Sequence, residues 1–179
     1  FISDYAGDSL TTGKVMVKTD KRHKTLAVTD LFSIQQDSST GQYNYYSKVD
    51  GALANALYLV NLDTVPVVAF ATGHNEMLTV SDNLSTFTGM LNDNNFEVKE
   101  FNMLTDEIPE DASIVVLGTP TTDYTSEELS KLEAYLDDEK MASSRTLYVT
   151  AYPTQSWADM PNLKSFLAEW GLEPQTGVL

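Results

Sequence analysis

Apolar positions along this chain fall into short runs and stripes whose spacing predicts an ordered series of elements. Lys14 to Lys18 (KVMVK) alternates apolar and polar residues, the pattern of a half-buried strand. Asp20-Lys21-Arg22 reads as a turn. Leu26, Val28, Leu31, Phe32 and Ile34 then predict a second strand over 26–34, antiparallel to the first. Residues 35–46 (QQDSSTGQYNYY) are polar and predict a loop. Burial habit favours its tyrosines folding down onto the domain over serving as binding platforms. Val49, Leu53, Ala56, Leu57 and Val60 form the stripe of an amphipathic helix over 47–61, weakened by Gly51.

The stretch Val65 to Glu76 (VPVVAFATGHNE) changes the character of the chain. A short β-branched and aromatic run, apolar on both faces, predicts a strand covered on both sides, as in a parallel sheet. Pro66 fits only near its start, because proline has no N–H for a central ladder. Gly73 ends it.

After that strand, helices and strands alternate. Ser81 is the expected N-cap of a helix to Leu91, with Leu84, Phe87 and Leu91 inward. Phe96, Val98 and Phe101 alternate with charged residues, predicting a strand near the sheet edge. Ile108-Pro109 lies in a connection. Ser113 to Gly118 (SIVVLG) predicts a buried strand. Thr125 and Glu128 have capping-box spacing at the start of a helix closed by 137–140, with Leu129, Leu132 and Leu136 inward and Glu127–Lys131 as an exposed pair. Thr146 to Ala151 predicts the next strand. Pro161 opens a last helix, with Leu163, Phe166, Leu167 and Trp170 facing the core and Gly171 as its stop. This alternation predicts a parallel α/β sheet with right-handed crossovers. Residues 1–46 read as a hairpin-and-loop appendage and 47–179 as the α/β domain.

Composition narrows the partners. Of 179 residues, 26 are acidic and 11 basic, for a formal net charge of -15. That balance argues against nucleic acid and against an anionic membrane surface, since like charges repel. Cysteine is absent, which removes disulfides, thiolate catalysis and cysteine-held metal. No apolar run is long enough to cross a bilayer. The chain opens on Phe1 and stops at Thr176-Gly177-Val178-Leu179, which reads as the start of a further strand. Both ends are expected to be cuts in a longer protein.

Ligands of parallel α/β sheets sit beyond the carboxyl ends of the strands. The candidate ligand-binding residues are therefore Gly73, His74, Asn75 and Glu76 after the first buried strand, Thr119, Thr121 and Thr122 after the next, and Tyr152 and Gln155 after the last. His74 and Glu76 are the residue types for acid–base or metal chemistry. Only His23 joins His74 as a histidine, so a metal would need carboxylates from elsewhere, such as Asp123. A structural turn is the favoured reading of this pair, and neither a metal nor a cofactor is assigned. Gly73 belongs to no phosphate-cradling motif. Tyr152, Pro153, Gln155 and Trp157 line a sugar or peptide groove or pack over the core, and packing is favoured.

The order of these pieces resembles the extracytoplasmic domain of GldG-like auxiliary proteins of ABC transporters. The matching residues are Gly51-Ala52-Leu53-Ala54-Asn55-Ala56-Leu57, Gly73-His74-Asn75-Glu76, Ile108-Pro109-Glu110-Asp111-Ala112, Val116-Leu117-Gly118-Thr119-Pro120 and Pro161-Asn162-Leu163. The likeness spans roughly residues 25–179. It implies a flavodoxin-like or class I glutamine-amidotransferase-like sheet with helices on both faces. It also implies a parent anchored in the membrane, with this domain on the extracytoplasmic side beside a permease. Asn75 stands where that family usually has glycine, and asparagine tolerates a left-handed backbone. Amidotransferase-like proteins carry a cysteine at the elbow that Thr119 occupies here. Neither a cysteine nor a nucleophile-elbow motif replaces it, and a hydroxyl without a base is a poor nucleophile. The expectation is a non-enzymatic module that binds a small molecule, a glycan or a membrane partner. The alternative is a hydrolase that uses His74 and Glu76.

Overall fold

The computed structural model describes residues 13–138, 145–175 and 177. The expected loop over 1–12, the end of the stop at 137–140 and most of the strand expected from Thr176 lie outside those residues. The chain divides after Val65 into two compact units.

In the first unit, β1 (Val15–Lys18) and β2 (His23–Leu26) form the expected antiparallel hairpin, with Val15 opposite Leu26. The single strand expected over 26–34 is a correction. The chain instead makes the end of β2, one helical turn α1 (Val28–Leu31), and then β3 (Phe32–Gln36). Asp30 causes the break, because its Oδ2 accepts the Ala27 N–H at 2.8 Å and holds the first turn. The polar stretch 35–46 is likewise no loop. Its end is β4 (Tyr43–Ser47), which pairs with β3 in an unbroken antiparallel register. Asp37 Oδ1 accepts from the N–H groups of Ser39 and Thr40, and Gly41 takes φ +72°, so a tight turn joins the two strands. Tyr43, Tyr45 and Tyr46 do not fold down onto the domain, since each is at least half exposed.

Helix α2 (Val49–Asn61) forms where the stripe predicts it. It packs with the hairpin: Ala56 joins Leu26 and Leu31 in one apolar cluster, flanked by Val17, Val49, Ala52 and Leu53. Lys21 Nζ reaches the helix end, 3.3 Å from the Asn61 carbonyl and 2.6 Å from Asp63 Oδ1, where a cation suits the dipole. The helix thus belongs with residues 1–65 rather than with the α/β domain assigned to 47–179.

The second unit is a four-stranded parallel sheet in the order β6 (Glu97–Asn102), β5 (Val67–Thr72), β7 (Ala112–Gly118), β8 (Thr146–Thr150). β5 is central and runs parallel to both neighbours, as its two-sided apolar run requires. β6 is an edge, as its alternating charges predict. Alternate residues of β5 and β7 serve opposite faces. Ala69, Ala71, Val115 and Leu117 pack beneath α4 (Ser126–Leu136) and α5 (Pro161–Glu169), whose Leu129, Leu132, Leu163 and Phe166 are buried. Val68, Phe70 and Val116 pack on the other face with Leu84 and Leu91 of the α3 region. The fold is therefore α/β, a parallel sheet with helices on both faces.

Several details differ from expectation. Helix α3 spans Ser85–Asp93, so Ser81 is not its cap. Thr79 and Asn83 tie residues 79–83 into a turn instead. Phe87 is 44% exposed and meets Phe70 edge-on at 6.4 Å. Lys131 pairs with Glu107 at 3.1 Å rather than with Glu127. Trp170 is 48% exposed because α5 stops at Glu169 and Gly171, at φ +78°, turns the chain away. Among the described residues no helix is long and apolar enough to cross a membrane.

Candidate functional site

β5 and β7 deliver two turns to the carboxyl edge of the sheet. Gly73 takes φ +112°, a backbone conformation that strains any residue with a Cβ, and a Cβ there would also lie 2.7 Å from Asn102 Oδ1 at the end of β6. Gly118 is held equally tightly, because a Cβ would come within van der Waals overlap of the Leu78 carbonyl oxygen. The main chain explains that approach: the N–H groups of Met77 and Leu78 donate to the carbonyls of Thr119 and Gly118 at 3.1 and 2.9 Å.

The two turns are stitched together. The N–H groups of Thr121 and Thr122 donate to the His74 carbonyl at 3.0 and 3.1 Å. Thr121 Oγ1 donates to the Asn75 carbonyl at 3.0 Å, and Asn75 Nδ2 to Thr122 Oγ1 at 2.9 Å. Asn75 takes φ +51°, the left-handed conformation its residue type allows. Thr119 is also left-handed, at φ +57°, where a β-branched residue is strained. Its buried hydroxyl meets Thr150 Oγ1 at 2.8 Å, joining the ends of β7 and β8. Thr119, Thr121 and Thr122 cap no helix. Thr125 caps α4, in the capping box its spacing predicts.

His74 and Glu76 do not form a side-chain pair. Both carboxylate oxygens of Glu76 accept the His74 main-chain N–H at 3.1 Å. The imidazole turns inward, 2% exposed, with Nε2 3.1 Å from Glu128 Oε1 and its ring stacked on Tyr124 at 3.8 Å. Glu128 Oε2 accepts from the N–H and Oγ1 of Thr125, both at 2.8 Å. Burial raises the Glu128 pKa, but the two Thr125 bonds and His74 outweigh it and hold the carboxyl below the usual glutamate range. With Glu128 ionised, Nε2 of His74 is the donor. Burial, then the carboxylates of Glu76 and Glu128, push the Tyr124 hydroxyl pKa up. Among the described residues neither His74 Nδ1 nor the Tyr124 hydroxyl has a hydrogen-bond partner.

Asp123, weighed above as a metal partner, serves a helix instead. Its two oxygens accept the N–H groups of Asn162 and Leu163 at 2.9 Å, at the start of α5. Among the described residues no three ligating side chains converge as a metal site would require.

A cleft of about 570 Å³ opens beside this edge. Thr119, Thr121, Tyr152 and Gln155 line it, so four of the candidate residues meet there. Gly73, His74, Asn75, Glu76 and Thr122 do not. Met77, Thr154, Ser156, Asp159 and Met160 complete the wall. The sequence reading missed them because nothing in the chain separates them from ordinary loop residues. Gln155 is mostly buried and braces the loop, with Oε1 accepting the Tyr152 N–H at 3.1 Å and Nε2 donating to the Pro120 carbonyl at 2.9 Å. Trp157 packs into the core. Tyr152 stays 44% exposed.

No family model matches this chain, and no curated protein does. Among solved structures it is similar to the mmIFT52 N-terminal domain, at 20% identity and a TM-score of 0.51 over 63% of this chain. The chain spans about half of that structure's length, 47%. The likeness concerns the α/β fold.

Proposed function

We propose that this domain is a non-catalytic binding module that takes an uncharged, polyhydroxylated ligand into the cleft beside β7 and β8. It acts as an extracytoplasmic auxiliary part of an ABC-type transport system. The transport setting, the membrane-anchored parent and the permease partner rest on the GldG-like motifs. The binding role rests on one observation: the cleft wall carries threonine and serine side chains and an exposed tyrosine, and among the described residues that line it none is basic. Such a wall suits a glycan, with a ring against Tyr152 and hydroxyls on Thr121 and Thr154, and repels anions through Asp159. The hydrolase reading loses support because it needs the His74 and Glu76 side chains together, whereas Glu76 binds main chain and His74 faces Glu128.

The test combines binding and turnover. Cell-wall saccharides raise the melting temperature of the protein and not of Tyr152→Ala, and a panel of esters, amides and glycosides is left intact. Turnover lost in a folded His74→Ala protein would establish the hydrolase instead. Capture of the cognate permease by the wild-type domain, through an interface of about 1,000 Å² or more, tests the transport setting separately.

A further inference from the structure

Charge is divided unevenly between the two units. Residues 66–179 carry nineteen acidic side chains against five basic ones. Residues 1–65 carry seven aspartates, no glutamate and six basic side chains. The formal charge of -15 therefore belongs almost wholly to the second unit, and the first is close to neutral. Asymmetry of this kind points to a charged partner for one part of a chain. Within the first unit the basic groups gather again. Lys14, Lys18, Lys21, Arg22 and Lys24 lie between positions 14 and 24, with His23 among them and Asp20 as the single acid.

Two of these cations serve the fold. Lys21 Nζ lies 2.6 Å from Asp63 Oδ1, and Arg22 donates to the Asp63 carbonyl at 3.1 Å, just past the end of α2. Lys14, His23 and Lys24 instead line a cleft of about 310 Å³, together with Thr25, Ala27 and Asp30. Successive side chains of a strand point to opposite faces. Three successive residues of β2 line this cleft, so it follows the outer edge of the strand. Among the described residues no further strand pairs with that edge. The Thr19 N–H donates to the Arg22 carbonyl at 3.0 Å, and bonded and non-bonded pairs alternate along an antiparallel ladder. His23 and Thr25 therefore point their main-chain N–H and C=O groups away from β1, toward the same edge.

Asp30 is the single acid among the described residues that line the cleft. Its Oδ2 already accepts the Ala27 N–H at 2.8 Å. Two ammonium groups, an imidazole and outward N–H donors face that one engaged carboxylate. An ammonium has three donors, so a contact within the protein leaves a lysine able to take a ligand oxygen. The volume is at the small end of ligand sites. A phosphate group suits it, because its several oxygens accept from separate donors and lysine serves it as a point charge.

We infer that the outer edge of β2 is a binding site for a phosphate group, held by Lys14 and Lys24 with His23 beside them. It differs in kind from the carboxyl-edge cleft, where none of the described lining residues is basic. The phosphate arrives on a small soluble molecule or on a lipid headgroup.

Nuclear magnetic resonance titration of the full chain with inorganic phosphate and with glycerol phosphate tests the site, against sodium chloride at matched ionic strength. The expected result is saturable shifts at the amides of residues 14–30 that chloride does not produce. Lys14→Gln and Lys24→Gln each weaken phosphate binding about tenfold, for one charge-assisted bond lost. Lys164→Gln, at an exposed position of α5, changes the net charge equally and leaves the affinity unaltered. Sedimentation with phosphatidylglycerol vesicles, against phosphatidylcholine vesicles, separates the two sources. Capture by the anionic vesicles that both lysine variants lose assigns a lipid headgroup, and a response to the soluble phosphates alone assigns a soluble ligand. The site is refuted by chloride-like shifts with no vesicle capture, by capture that survives both lysine variants, or by equal weakening in Lys164→Gln.

Discussion

His74 and Glu128 lie 54 positions apart in sequence, yet their side chains meet at 3.1 Å in the interior, Nε2 to Oε1. One carboxylate thus closes the capping box of α4 and anchors the turn that ends β5. That double duty makes Glu128 the residue on which the carboxyl edge of the sheet depends.

Glu128→Ala removes the box and leaves the His74 Nε2 buried without a partner. The expected loss is about 2–4 kcal/mol, from a lost cap and an unsatisfied buried group. Glu128→Gln keeps one acceptor and loses less. Urea melts of the three proteins check the ranking.

Acid titration gives a second signature of the same carboxylate. The folded pKa of Glu128 lies below its unfolded value, so on acidification the unfolded chain takes up a proton first. The stabilisation is full above the ordinary glutamate pKa, about 4.3, and is lost as pH falls from there through the lower folded value. Stability curves against pH should be flatter in that window for Glu128→Gln than for the wild type. Parallel curves would remove Glu128 from the account.

The two carboxyl-edge turns differ in what they tolerate. Gly118→Ala drives a methyl into the Leu78 carbonyl and should cost about 2–3 kcal/mol, in the range of overpacking substitutions. Asn75→Gly suits the left-handed backbone and forfeits only the exposed bond to Thr122, so its effect stays within about 1 kcal/mol. Thermal melts separate the two.

Asp123→Ala strips the start of α5 of two acceptors, an expected cost of about 1–2 kcal/mol. Amide exchange should speed up at Asn162 and Leu163 before it does in β5.

Fluorescence distinguishes the two tryptophans. Trp157 is 5% exposed and Trp170 48%, so acrylamide should quench two populations. Trp170→Phe should leave only the protected one, emitting further to the blue. A single quenchable population in the wild type would contradict the turn at Gly171.

The sequence was most legible where one segment decides its own fate. The two-sided apolar runs of β5 and β7, the Thr125–Glu128 box and the glycine after α5 each act within a few residues. Expectation failed where a short polar device overrules an apolar pattern. Asp30 bends Leu26–Ile34 into a helical turn, and the Asp37–Gly41 turn makes a hairpin from a stretch that reads as loop. Trp170 follows the stripe of α5 by spacing, but the helix ends before it. The site was half legible, since position after a strand found Thr119, Thr121, Tyr152 and Gln155. The inward turn of His74 depends on Glu128 and Tyr124, partners brought close only by the folded sheet.

The strand order has a consequence for how the polypeptide is made. β5 emerges first and β6 next, but β7 docks on the far side of β5. During synthesis the most apolar strand of the molecule therefore waits with one flank bare until residues 112–118 leave the ribosome. A nascent chain stalled in that interval offers a sticky β edge, and it is there that chaperones should find it.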